Sequence, residues 1–113
     1  VIAQIEHVDA VRNIDAILSV PGVDACYVGP NDWCASAGLA PSLEPPHPEF
    51  EEAMQKVLAA ANRHGVAAGI HCLKAETVNR RIKEGWRLVG MINDQRFLVQ
   101  AAQAARDAVK TDL

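Results

Sequence analysis

The sequence predicts an α/β fold of four successive βα units around a parallel sheet. Three observations carry that expectation. Short apolar runs at residues 1–5, 25–28, 66–72 and 88–92 have the composition of strands. Each is followed by a stretch whose apolar residues recur at helical spacing. The runs are apolar almost throughout rather than alternating, as in strands covered on both faces. Strands that alternate with helices pair in parallel, because the chain must cross back over a helix-length connection.

The elements follow in order. Residues 1–5 are β-rich and broken only by Gln4. Asp9 is a candidate N-cap for a helix in which Val11, Ile14, Ile17 and Leu18 share a face. Pro21 and Gly22 stop it. After the second run, residues 31–48 hold four prolines besides Gly38 and predict a long loop. Pro48 suits a first helical position. Phe50, Met54, Val57, Leu58 and Ala61 then form a buried stripe, and Gly65 stands where a C-terminal cap belongs. Past the third run, Ala75, Val78 and Ile82 mark a helix that Gly85 ends. Past the fourth, Asp94 is placed to cap a last helix with Leu98, Ala101, Ala105 and Ala108 on one face.

Two architectures satisfy this order: an open doubly wound sheet, and a (β/α)₈ barrel of which four units are half. No glycine-rich phosphate fingerprint follows any strand, which weakens the nucleotide-binding version of the open sheet. The 113 residues fit one domain, and with half of them apolar a sizeable core is possible. The formal charge of −3 comes without a basic block, so neither a nucleic acid nor an anionic membrane is an expected partner. No signal-peptide pattern and no span of about 18 apolar residues occurs, so a soluble, cytoplasmic protein is expected. The chain opens without Met inside an apolar run, so its start reads as the middle of a protein. Cys26, Cys34 and Cys72 are odd in number and lack CxxC spacing. That argues for reduced thiols and against a disulfide framework or structural zinc.

The chemistry-bearing candidates lie at strand ends. "VIAQIEHVDA" carries an apolar run into Glu6, and "YVGPNDWCASAG" carries another through Gly29 and Pro30 into Asp32. Parallel α/β folds build their sites at the C-terminal ends of strands. Neighbouring strands lie about 4.8 Å apart, so carboxylates at one level of adjacent strands can share a cation. Two carboxylates suit a hard ion such as Mg²⁺, which keeps waters or substrate oxygens in its remaining positions. The competing reading makes Asp32 a turn former or cap and Glu6 a solvated side chain.

The same residues resemble the second half of the HpcH/HpaI aldolase family, which is related to citrate lyase β subunits. Gln4-x-Glu6, Ala10-Val11, Asn13-Ile14, Pro21-Gly22-Val23-Asp24, Gly29-Pro30-x-Asp32 and Gly38 keep the family's order and spacing, and Gly69-Ile70, Gly85 and Asp94 also fit. The resemblance covers nearly all of the chain and chooses between the architectures. It implies the C-terminal half of a TIM (β/α)₈ barrel, one half-barrel unit over residues 1–113. It also implies an oligomer, and a class II aldolase that cleaves 4-hydroxy-2-keto acids to pyruvate and an aldehyde. The implied cofactor is a divalent metal ion, Mg²⁺ or Mn²⁺ with Co²⁺ as an option, held by Glu6 and Asp32. Gln4 matches a Gln near the metal. Asn31 and Asp32 would offer backbone N–H groups to the substrate carboxylate, in a turn shaped by Gly29 and Pro30. The resemblance assigns no catalytic residue here. The family's catalytic Arg and His come from the first half of the barrel, so these 113 residues alone are expected to be inactive or nearly so.

The chain departs from the family pattern at three places. His7 stands where a small hydroxyl residue is usual, and Trp33 and then Cys34 follow Asp32 in place of a usual Leu. Trp33 reads as a packing residue at the barrel edge. His71 and Cys72 end the third strand and point to opposite faces, so at most one of them faces a pocket. Arg80 and Arg81 read as solvated, and His47 and His64 as surface or capping residues. Two other functions fit the sequence. An acyl-CoA lyase of the citryl- or malyl-CoA type would use the same carboxylates, and a non-catalytic half-barrel would pair with another copy.

Overall fold

The computed structural model describes residues 1–110. Ten elements follow one another: β1 Ile2–Ile5, α1 Val8–Arg12, α2 Ile14–Leu18, β2 Ala25–Val28, α3 Pro30–Ser36, α4 Pro48–His64, β3 Ala67–Cys72, α5 Ala75–Glu84, β4 Leu88–Met91 and α6 Asp94–Ala108. The four strands form one sheet in the order β1-β2-β3-β4, every neighbouring pair parallel. The predicted alternation of strand and helix is therefore the observed one.

One core lies between the sheet and its helices. Ile5, Cys26, Val28, Ala68, Ile70 and Cys72 point into it from the strands. Val11, Ile14 and Leu18 meet them from α1 and α2, and the α4 stripe of Phe50, Met54, Val57, Leu58 and Ala61 closes it. Burial pushes all three cysteine thiols up, so they stay protonated and unreactive in this core. The opposite face of the sheet is open among the described residues: Gln4 is exposed, and Glu6, Tyr27 and His71 are half-buried. The expectation of two covered faces is thus met on one face only. The small residues Ala67, Gly69 and Gly90 lengthened the apolar runs, yet small side chains bury little area and leave this face shallow.

Local details correct the sequence reading in five places. His7, not Asp9, caps α1, its Nδ1 accepting from the Asp9 N–H at 3.1 Å. A short polar acceptor is what that position needs, and the imidazole supplies it. The first helix is broken at Asn13 into α1 and α2. The predicted loop begins later, because Pro30 opens the seven-residue helix α3 before the proline-rich segment starts. At the last helix the cap is Asn93, whose side chain accepts from the Arg96 N–H at 2.9 Å, with Asp94 one position inside. No residue of α6 is buried, so its expected apolar face packs on nothing among the described residues. Gly65 and Gly85 end α4 and α5 in left-handed conformations, at φ 68° and 105°, as their positions predicted.

Candidate active site

The site is built from two rows of residues on the open face. Gln4, Tyr27, Gly69 and Leu88 pair across the four strands in one row. Ile5 pairs with Val28 and Val28 with Ile70, which sets Glu6, Gly29 and His71 at the next level. His71 pairs in turn with Gly90. In each row a polar side chain has a glycine beside it. A Cβ on Gly29 would come within 2.5 Å of Glu6 Oε1 and 2.9 Å of its Cγ, so this glycine is the space in which the Glu6 carboxylate lies. The Gln4 amide donates to Glu6 Oε1 at 3.0 Å and orients it from the row below.

Asp32 reaches the same place from α3. Its helix starts at Pro30, directly after β2, so Asn31 and Asp32 occupy the first turn. Amides there have no acceptor within the helix. Ser36 joins the two carboxylate-bearing segments: its hydroxyl donates to the Trp33 carbonyl at 2.7 Å and accepts from the Val8 N–H at 3.0 Å. Trp33 faces the other way. It is 4% exposed and packs edge-on against Phe50, their centroids 5.3 Å apart, so it anchors α3 and does not shape the pocket.

Glu6, Gly29, Pro30, Asn31 and Asp32 line one cavity of about 160 Å³, together with Tyr27, Leu43 and His71. Five of the six residues singled out in the sequence thus meet at one place, and Gln4 supports Glu6 from beside it. Among the described residues no three His, Cys, Asp or Glu side chains cluster as a ready-made metal cage. Two carboxylates on one cavity fit Mg²⁺ or Mn²⁺, which accept one or two protein carboxylates and fill the remaining positions with water or substrate oxygens. They do not fit a zinc site of three or four nitrogen and sulfur ligands.

Two lining residues lay outside the sequence reading, and a third residue was read wrongly. Tyr27 and Leu43 border the cavity. Tyr27 is two residues before Gly29, so strand alternation alone places it on the Glu6 face. Leu43 is carried in by the segment after α3, which Glu44 pins through a bond to Thr77 and an ion pair with Lys74 at 3.0 Å. Burial works to raise the Glu44 carboxyl, but the Thr77 and Lys74 contacts outweigh it and hold it below the usual carboxylate range. Arg81 is the third, and it corrects an expectation: it is 1% exposed rather than solvated, while Arg80 is exposed as expected. Its guanidinium makes two 2.8 Å bonds to Glu51 and one of 3.0 Å to Glu84, and stands 5.9 Å from the ring centres of Phe50 and Trp86.

Four parallel strands alternating with helices, with Glu6 and Asp32 beyond the C-terminal ends of the first two, define the class: an α/β protein of the TIM-barrel type. The chain belongs to the HpcH/HpaI aldolase/citrate lyase family, whose profile matches residues 1–106. It is 33% identical over 110 residues to the 5-keto-4-deoxy-D-glucarate aldolase of Klebsiella pneumoniae subsp. pneumoniae, covering 97% of this chain and 42% of that protein. It is 29% identical over 110 residues to the hydroxypyruvate/pyruvate aldolase of Paraburkholderia phytofirmans, with the same two coverages. The crystal structure of a family protein from Burkholderia cenocepacia superposes with a TM-score of 0.87 at 35% identity, covering 94% of this chain and 40% of that one. The chain therefore spans about two fifths of the length of the relatives it matches.

Proposed function

We propose that this chain is the metal- and keto-acid-binding half of a class II aldolase that forms or cleaves 4-hydroxy-2-keto acids, with pyruvate and an aldehyde as the partners. The observation that carries the reading is the meeting of Glu6, Asp32 and the first-turn segment of α3 on one cavity. Aldolase names among the relatives support the reaction class. Glu6 and Asp32 would hold the divalent ion, Gln4 would keep Glu6 turned toward it, and Gly29 would leave the room. When bound, the ion supplies Lewis-acid polarisation of a keto oxygen. The amides of Asn31 and Asp32 would bind the substrate carboxylate and fix its orientation without reorganising during the reaction. Pro30 has no N–H and a fixed φ, which sets the angle at which those amides are presented.

Titration calorimetry with Mn²⁺ tests the reading. Glu6→Gln and Asp32→Asn each remove one charged ligand, so each weakens Mn²⁺ binding at least about tenfold, a loss already reached when only a group that orients a ligand is removed. Equal affinity in wild type and both variants defeats the shared site.

A further inference from the structure

Tyr27 and His71 border the same cavity as Glu6 and Asp32. The Tyr27 ring leaves β2 and lies across β3 toward β4, in a slot that two glycines make. A Cβ on Gly69 would come 2.6 Å from Tyr27 Cδ2. One on Gly90 would overlap the Tyr27 hydroxyl and stand 3.3 Å from His71 Nδ1. At the end of this slot the phenol oxygen is 3.2 Å from His71 Nδ1, with the two rings edge to face.

The direction of that bond follows from the groups available. A phenol has one O–H to give, and a neutral imidazole has one donor nitrogen and one acceptor. An O–H left unpaired at a half-buried position costs the desolvation of the donor, and Nδ1 is the acceptor within reach. Burial also pushes the Tyr27 phenol up, so it keeps the proton it donates. With Nδ1 accepting, the imidazole proton sits on Nε2. Among the described residues Nε2 has no protein partner, and His71 stands where three cavities meet.

We propose that the Tyr27–His71 pair presents a fixed Nε2–H donor to the ligand in this cavity. It thereby favours 2-keto acids with a hydroxyl on the carbon next to the keto group over those with only a methyl there. The inference rests on the keto-acid reading of the Glu6–Asp32 site. A donor that the bound ligand covers is paired when it meets a hydroxyl, whereas against a methyl group it has lost its water and gained nothing. His71 touches the ligand, and Tyr27 is a positioning residue that acts through the tautomer of His71.

Two measurements on the 113-residue chain test the pair. Nitrogen-15 NMR at mildly alkaline pH reads the tautomer: His71 protonated on Nε2 in wild type, and a mixture in Tyr27→Phe. Protonation on Nδ1 in wild type overturns the inference. Calorimetry with saturating Mn²⁺ then compares hydroxypyruvate with pyruvate. Hydroxypyruvate binds about tenfold tighter in wild type, the fold-change of one hydrogen bond. That preference disappears in His71→Leu and shrinks in Tyr27→Phe, which keeps the ring in its slot and serves alone if His71→Leu does not fold. Equal wild-type affinities, or a preference that survives in both variants, defeat the inference and leave the Glu6–Asp32 reading standing. Binding of Mn²⁺ with neither keto acid defeats the keto-acid reading itself, and this preference falls with it.

Discussion

Glycine decides where the polar side chains of the open face can lie. Gly29 is an instance in which the backbone imposes nothing, since its φ of −100° is open to any residue. Its role is the volume that Glu6 occupies. Gly29→Ala places a methyl group 2.5 Å from Glu6 Oε1 and 3.0 Å from Cδ, so the carboxylate must swing away while its charge remains. The expected outcome is a Mn²⁺ affinity lowered about tenfold, the scale of losing a ligand's orientation rather than the ligand. An unchanged affinity in calorimetry would show that Glu6 does not need this position. Glu6 and Asp32 were legible in the sequence because a carboxylate at the end of an apolar run is conspicuous. Tyr27 was not, because an aromatic ring inside a strand reads as one more core residue until alternation is counted from Gly29. His7 was legible as a departure, but its capping role depends on where the helix begins, and that boundary shifted by two residues from the Asp9 reading.

At the scale of elements, α5 is held to α4 by charge where the sequence pattern suggested an apolar stripe. Ile82, expected on the buried face, is 55% exposed, and Arg81 takes the interior position. Its main partner Glu51 lies 30 residues away on α4, so no local pattern could have shown the burial. Removing one side of a fully buried ion pair strands the other, a loss of about 3–5 kcal/mol. Here Arg81→Met keeps the packing volume against Phe50 and Trp86, while Glu51 is 40% exposed and retains Arg80, so urea denaturation is expected to show a loss smaller than that range. The pair also gives an acid limb to stability. Burial works to raise the Glu51 carboxyl, but hydrogen bonds from Arg81 and Arg80 outweigh it and hold it below the usual range. A carboxylate lowered in the folded state binds fewer protons than in the unfolded chain. Its contribution is complete above the ordinary Glu value of about 4.3 and is lost as pH falls through the lowered folded value. Glu51→Gln therefore flattens the stability curve in that window, and a melting-temperature series across acid pH that keeps the wild-type slope would remove Glu51 from the account.

For the molecule as a whole, the alternation of strand and helix followed from hydrophobic period and turn residues and the sequential strand order from the family resemblance, but the fate of α6 followed from neither. Its apolar residues recur at helical spacing, and period alone cannot say what a face packs against. Phe97, Leu98 and Val99 are 47%, 71% and 45% exposed, and no residue of the helix is buried. The sheet adds two edges, β1 with Ile2 exposed and β4 with Leu88 and Met91 exposed. Unpaired strand edges are templates for further pairing, and exposed apolar side chains gathered on one helix are costly to leave in water. A second copy can satisfy both at once, continuing the sheet past an edge while α6 lays its apolar side on the neighbour. The 113-residue chain is therefore expected to self-associate at micromolar concentration, with Leu98→Lys lowering the associated fraction by placing a charge among the exposed apolar residues of α6. Light scattering coupled to size-exclusion chromatography decides it. A stable, well-folded monomer across that range would mean that the open face and α6 are tolerated in water.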